Sequence, residues 1–112
     1  MNSNTKCIPV QIIKFVDERF PGWVECEFVD AEGRKHRLID KVPMFTTELL
    51  DATSSYPREG IVRCEILGPS RDDNDRELAR LTTARPDTIE STEGLSEFVV
   101  LAAQVQRDPW PS

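Results

Sequence analysis

The chain has 112 residues, which suit one domain that buries roughly two thirds of its unfolded surface, and no second domain is needed. Acidic residues outnumber basic ones by 20 to 14, and the resulting net charge of -6 opposes binding to nucleic-acid phosphates. No apolar run approaches the roughly 18 to 20 residues that cross a bilayer, and no signal-peptide core follows residues 1–6, so we expect a soluble, cytoplasmic domain.

The first strand is predicted over Cys7 to Val16, whose second half is nearly all apolar. Pro9 has no backbone N–H to donate to a ladder, so it indicates a strand start or an edge position. The polar and turn-forming run from Asp17 to Gly22 then ends the strand.

A β-hairpin is predicted next, because two alternating segments flank a short turn. Trp23 to Val29 directs apolar side chains to one face, and its tryptophan and two glutamates to the other. Asp30 to Gly33 fits a type I turn with glycine in the left-handed bulge position. Arg34 to Val42 returns as the partner strand, and it contains the only histidine and the densest positive charge of the chain.

The second half of the chain is predicted to hold at most one short helix, over Thr46 to Ala52, with Thr46 as its cap. Gly60 to Leu67 alternates cleanly and is expected to pair with Glu77 to Thr83 across a polar loop. Phe98 to Ala102 is apolar on both faces, which predicts a central strand covered on both sides.

These patterns predict an all-β fold, a small five-stranded antiparallel barrel of SH3-like, Sm-like or OB type spanning residues 1–105. An antiparallel α+β sheet is the alternative. Residues 106–112 are predicted to form a flexible C-terminal tail, because two prolines bracket Trp110 and deny it a ladder or a helix. The inward strand positions give the expected core: Val24, Cys26, Phe28, Val62, Cys64, Ile66, Phe98 and Val100.

The cysteines Cys7, Cys26 and Cys64 are odd in number, widely spaced and free of any Cys-x-x-Cys pair. This pattern argues against a disulfide framework or a zinc site. Each cysteine lies in an apolar or alternating segment, where a free thiol behaves as a small hydrophobe. We therefore expect three reduced core residues, with no bound metal and no cofactor.

The sequence contains no recognisable catalytic constellation. His36 is the only histidine that could activate a nucleophile, and Asp40 lies four residues further along the same strand face. That separation is too long for the carboxylate to orient the ring, so we interpret His36 as a surface strand residue and the chain as no enzyme. The acidic run Asp72 to Asp75 lacks the glycine and glutamate of a calcium loop, and we interpret it as a solvated hairpin tip.

Alternation divides the basic cluster between two strand faces. Arg34 and His36 share one face, and Lys35, Arg37 and Lys41 share the other. Glutamates on the partner strand are expected to lie across from these cations and to neutralise much of their charge.

We therefore predict a non-catalytic interaction module whose acidic and aromatic strand face binds a protein partner, and the net charge is compatible with a basic one. An RNA-binding small β-barrel that uses Trp23, Arg37 and Lys41 is the alternative. The predicted partner-binding residues are Trp23, Glu25, Glu27, Arg37 and Lys41.

Overall fold

The computed structural model describes residues 5–110, and within them the chain forms seven strands and two single-turn 3-10 helices. The strands are β1 (Thr5–Asp17), β2 (Trp23–Val29), β3 (Lys35–Lys41), β4 (Arg58–Arg71), β5 (Glu77–Thr82), β6 (Glu97–Leu101) and β7 (Gln106–Arg107). The 3-10 helices span Val42–Met44 and Ala102–Gln104. In this part of the chain, neither helix has the length or the apolar character needed to cross a membrane.

The all-β fold class is confirmed: the strands form one curled antiparallel sheet, a half-barrel, in the order β3-β2-β1-β4-β5-β6. β1 is the central strand, with β4 on one side and β2 and β7 on the other. Pro9 lies between the segments of β1 that pair with β7 and with β2. Its missing N–H therefore costs no ladder bond on that side, which explains a proline inside a central strand.

The hairpin of β2 and β3 forms as the alternation predicts. Trp23 pairs with Lys41 and Val29 with Lys35, without a register shift. Gly33 has a φ of +82°, and its N–H donates to the Asp30 carbonyl oxygen at 3.0 Å. Glycine adopts this left-handed conformation without the steric cost of a Cβ atom, so it closes the turn.

The core prediction is confirmed for seven of its eight residues, which are buried, and all three cysteines are buried thiols. Ile66 is only partly buried, although it packs against the core. The ladder between β4 and β5 shifts between Ile66 and Gly68, and this bulge interrupts the alternation that the sequence suggested.

The strand count differs from the predicted five. All six alternating or apolar segments form strands of their own, and Gln106–Arg107 adds a seventh. The prediction that Phe98 to Ala102 is a central strand is wrong, because β6 lies at the end of the sheet. Phe98 and Val100 are buried, whereas Glu97 and Val99 are exposed, so only one face of β6 is covered.

The helix predicted over Thr46 to Ala52 does not form. Thr46 Oγ1 accepts the N–H of Glu48 at 3.1 Å, and Asp51 Oδ1 accepts the N–H of Thr53 at 2.8 Å. These local side-chain bonds compete with helical bonding and fold the segment into turns.

The two ends of the sheet meet along a seam between β3 and β6, where no ladder runs within residues 5–110. Loop contacts close this seam instead. The N–H of Ala31 donates to the carbonyl oxygen of Val99 at 2.9 Å, and Leu38 forms an isolated bridge with Ser91. The two ends of the half-barrel are therefore connected here only by single contacts.

The C-terminal segment has partners that the sequence did not reveal. β7 pairs with β1 through Lys6 and Arg107. Arg63 of β4 forms ion pairs with Asp87 at 2.9 Å and with Asp108 at 3.4 Å, and its guanidinium lies 5.6 Å from the Trp110 ring centroid. The flexibility of residues 106–112 stays a prediction. Residues 111 and 112 lie outside the described part of the chain.

Candidate functional site

The five predicted partner-binding residues share the outer face of the β2–β3 hairpin. Trp23 lies opposite Lys41, and Glu27 lies opposite Arg37, while Glu25 lies opposite Ile39. With Lys35, which pairs in register with Val29, these residues form a surface that we call the hairpin face. Its members are Trp23, Glu25, Glu27, Lys35, Arg37, Ile39 and Lys41.

The hairpin face carries three cations and two carboxylates, and part of this charge is paired. Lys35 Nζ lies 3.4 Å from Glu27 Oε1, and Lys41 Nζ lies 5.5 Å from the Trp23 ring centroid. Among residues 5–110, neither Arg37 nor Glu25 has an ion-pair partner. The face is therefore mixed in charge, with one cation and one carboxylate free to contact another molecule.

An exposed phenylalanine lies in the turn that precedes the hairpin and was missed in the sequence. Phe20, in the turn between β1 and β2, is 97% exposed, three residues before Trp23. It borders an apolar cleft of about 500 Å³ together with Pro21 and Leu50. The signal was an aromatic residue placed in a polar turn, where no core position explains it.

The interpretation of His36 as a surface residue is wrong, because the residue is only 4% exposed. Its Nε2 lies 2.8 Å from Asp30 Oδ2, and its ring packs at 4.8 Å from the Phe98 ring centroid. Phe98 is distant in sequence, and Asp30 lies across the turn rather than on the strand. Local alternation showed which face His36 occupies but not that this face is the interior.

Asp30 is the partner that orients the His36 ring. Its other oxygen, Oδ1, accepts the N–H groups of Glu32 at 2.9 Å and Arg34 at 3.0 Å. Burial alone would raise the pKa of Asp30, but the hydrogen bonds from His36 and from these two amides outweigh it and lower the pKa. The carboxylate is therefore ionised at neutral pH.

The acidic cluster from Asp72 to Asp75 stabilises the turn in which it lies. Asp72 Oδ1 accepts the N–H groups of Asn74 and Arg76, which closes the hairpin tip between β4 and β5. Within residues 5–110, no group of three or more histidine, cysteine or acidic side chains is arranged to hold a metal ion.

No protein-family model, curated protein or solved structure matches this chain. Function must therefore be argued from the geometry of its surfaces. The most distinctive surface is the hairpin face, which combines a tryptophan with charges of both signs.

Proposed function

We propose that the protein is a non-catalytic interaction module that binds a protein partner through the hairpin face. The observation that carries this proposal is the register of the β2–β3 hairpin, which brings Trp23 together with charges of both signs on one outer strand face. Tryptophan is enriched among the residues that dominate binding energy at protein interfaces. Arg37 and Glu25 supply unpaired charges that set orientation.

Two features favour a protein over RNA as the partner. Glu25 and Glu27 lie among the cations of the hairpin face, where they repel phosphate groups. The ammonium of Lys41 lies over the Trp23 ring, so a nucleobase would have to displace it in order to stack there. RNA binding remains the alternative, and a titration with single-stranded RNA distinguishes it from protein binding.

The net charge of -6 favours a basic partner during diffusional approach. The hairpin face itself carries charges of both signs, so it is complementary to a partner surface that also carries both. A cytoplasmic location belongs to the same proposal. Three buried thiols, Cys7, Cys26 and Cys64, suit a compartment that keeps cysteines reduced.

Site-specific crosslinking tests the surface directly. A photoreactive phenylalanine analogue replaces Ile39, which is 40% exposed at the centre of the hairpin face, or replaces Asn74 at the β4–β5 tip as the control. We expect one protein to crosslink at position 39 and not at position 74. Loss of that product after ribonuclease treatment would show that RNA mediates the contact.

The identified partner is then purified, and its affinity for two variants is measured. Trp23→Ala is expected to weaken binding about 10- to 100-fold, because truncation of a central aromatic anchor costs on the order of 2 kcal/mol. Glu59→Gln, an exposed change on β4, should leave the affinity unchanged. Equal affinities of wild type and Trp23→Ala would refute the proposed surface.

Nucleic-acid binding is measured separately with a labelled single-stranded RNA at two salt concentrations. The RNA alternative predicts affinity that falls steeply with salt and disappears when Lys35, Arg37 and Lys41 are all neutralised. A submicromolar, salt-sensitive affinity in the wild type would replace the protein-partner proposal.

A further inference from the structure

A groove crosses the outer face of the ladder between β1 and β4, and we call it the outer groove. It has a volume of about 300 Å³. Its floor consists of side chains that point outward from the two strands, and its walls come from the loop after β3 and from the C-terminal segment. The floor residues are Pro9, Gln11, Glu59 and Ile61, and the wall residues are Phe45, Thr46, Thr47, Gln106, Pro109 and Trp110.

Backbone contacts fix both walls to the floor. The N–H of Ile61 donates to the carbonyl oxygen of Phe45 at 2.9 Å, and Gln106 pairs in register with Cys7 of β1. The N–H of Trp110 donates to Asp108 Oδ1 at 3.0 Å. The groove is therefore formed before any ligand binds, as is usual for small-molecule sites.

The outer groove contains a single charged side chain among the residues that line it. Glu59 is exposed, and within residues 5–110 it has no ion-pair partner. The other polar side chains of the lining are neutral amides and hydroxyls: Gln11, Gln106, Thr46 and Thr47. The lining as a whole is therefore negative.

The charges around the groove do not reverse this sign. Arg63, the next outward residue of β4 beyond the floor, pairs with both Asp87 and Asp108, so this cluster has a net negative charge. Arg58 precedes Glu59 but points to the opposite side of the strand, and its guanidinium pairs with Glu48 at 2.9 Å. With a total charge of -6, the local and the overall field both attract a cation.

Trp110 adds a second group that favours a cation. Its ring is only half-buried and lines the groove, and the electron-rich face of an indole attracts positive charge. Pro9, Ile61 and Pro109 supply apolar surface beside it. An ammonium with alkyl groups suits this lining, because its methyl groups contact apolar surface and it has fewer N–H groups, or none, that need acceptors.

We propose that the outer groove binds a small organic cation with an alkylated ammonium group, which lies against Trp110 and is neutralised by Glu59. Gln11 lies between Glu27 and Glu59 in the sheet, so the groove borders the hairpin face. The two sites share no residue, because neither Glu59 nor Trp110 belongs to the hairpin face. The proposal therefore stands even if the protein-partner proposal fails.

Choline and 3,3-dimethylbutan-1-ol provide a matched pair of probes, since they have the same shape but only choline has a positive charge. Each is titrated into the full-length ¹⁵N-labelled protein, and the indole N–H resonance of Trp110 is followed by NMR. This resonance is assigned by its loss in Trp110→Leu. We expect choline to shift it and to bind about tenfold more tightly than the neutral probe, because cation–π and carboxylate contacts both favour the charged one.

Equal affinities of the two probes, or the lack of a choline-induced shift at Trp110, would overturn the proposal. A shift at the Trp23 indole alone would also overturn it, because the cation would then bind at the hairpin face.

Variants then assign the effect to the groove. Glu59→Gln keeps the size of the side chain but removes its charge, so choline should bind about threefold more weakly while the neutral probe is unaffected. Glu97→Gln removes the same charge at an exposed position of β6 outside the groove, and it should bind choline normally. Trp110→Leu keeps apolar contact but loses the indole face, so it should weaken choline more than the neutral probe. Equal choline affinities of Glu59→Gln and Glu97→Gln would contradict the role of Glu59 and with it the proposal.

Discussion

Phe28 illustrates how one side chain holds the interior together. Its ring lies 5.1 Å from the Phe98 ring in an edge-to-face arrangement and 5.3 Å from the His36 ring. We expect Phe28→Ala to lower the free energy of unfolding by about 3 to 5 kcal/mol, because it removes this packing and leaves a cavity. Val29→Ala, at the exposed neighbouring position, should cost less than about 1 kcal/mol. Urea denaturation measures both, and a loss below about 1 kcal/mol for Phe28→Ala would contradict its place in the core.

The buried thiols predict how stability changes with pH. Burial raises the pKa of Cys64 to about 12, with the nearby Cys7 and Asp108 adding to the shift, and it also raises the pKa of Cys26. Unfolded thiols ionise near pH 8.5, so from about that pH upward the unfolded chain releases protons that the folded chain keeps. The stabilising contribution is therefore complete below about pH 8.5 and decreases as the pH rises towards about 12.

We expect the free energy of unfolding to fall between about pH 8 and pH 10, as measured by urea denaturation. Cys64→Ala should show a shallower dependence on pH, whatever its stability at pH 7. Identical slopes for wild type and variant would show that the Cys64 thiol ionises as readily in the folded state as in the unfolded one.

At the residue level, the sequence identifies positions that alternate within a strand but not the contacts between distant strands. Cys26 and Phe28 were placed correctly because their neighbours in β2 alternate in polarity. His36 was misplaced because polar residues surround it locally, and only the folded sheet brings Phe98 against its ring. Local alternation was enough to predict which residues share the hairpin face. It could not predict the burial of His36, because that burial depends on a contact with a distant strand.

Gly60 shows what a single strand position requires of β4. A Cβ atom there would lie 2.8 Å from Ile12 Cδ1 and 2.9 Å from the carbonyl oxygen of Phe45. That carbonyl cannot easily move away, because it accepts the N–H of Ile61 at 2.9 Å. β4 therefore approaches both the core and the preceding loop too closely for a side chain.

We expect Gly60→Ala to lower the free energy of unfolding by about 1 to 3 kcal/mol through overpacking. Gly68→Ala, in the same strand, is the matched control. Its added Cβ would meet only the flexible end of Arg80 at 3.2 Å, so the cost should be below about 1 kcal/mol. Equal stabilities of the two variants in chemical denaturation would contradict the close approach at Gly60.

At the level of elements, alternation of polar and apolar residues predicted the strands that have one solvent-exposed face and one buried face. The bounds of β2 matched the prediction, and those of β5 differed by one residue. β7 was missed because two residues are too few for any periodicity. Phe98 to Ala102 was predicted to be covered on both faces because all its residues are apolar. The prediction failed because apolar residues such as Val99 can remain exposed at the end of a sheet.

Arg63 joins parts of the whole molecule that are far apart in the chain. It links β4 to Asp87, in the loop between β5 and β6, and to Asp108, beyond β7. All three charged side chains are less than a quarter exposed, so their interaction is screened less than a surface pair would be.

Two truncations measure what these contacts contribute. A chain ending at Val105 loses β7 and the Asp108 partner of Arg63, and we expect its Tm to fall by about 4 °C or more. A chain ending at Asp108 keeps both, and its Tm should fall less. If the shorter chain melts at the wild-type temperature, residues 106–112 form the flexible tail that the sequence suggested.

The pairing of β7 with β1 also means that the order of the strands along the polypeptide is not essential to the architecture. Lys6 lies opposite Arg107, so a short linker can join the two ends of the domain, while new ends are opened at the exposed Asn74. In such a circular permutant, β5, β6 and β7 are synthesised first and β4 last, yet every ladder can still form. We expect it to unfold cooperatively, as followed by circular dichroism during urea denaturation, and a non-cooperative transition would show that the fold requires the original connection between β4 and β5.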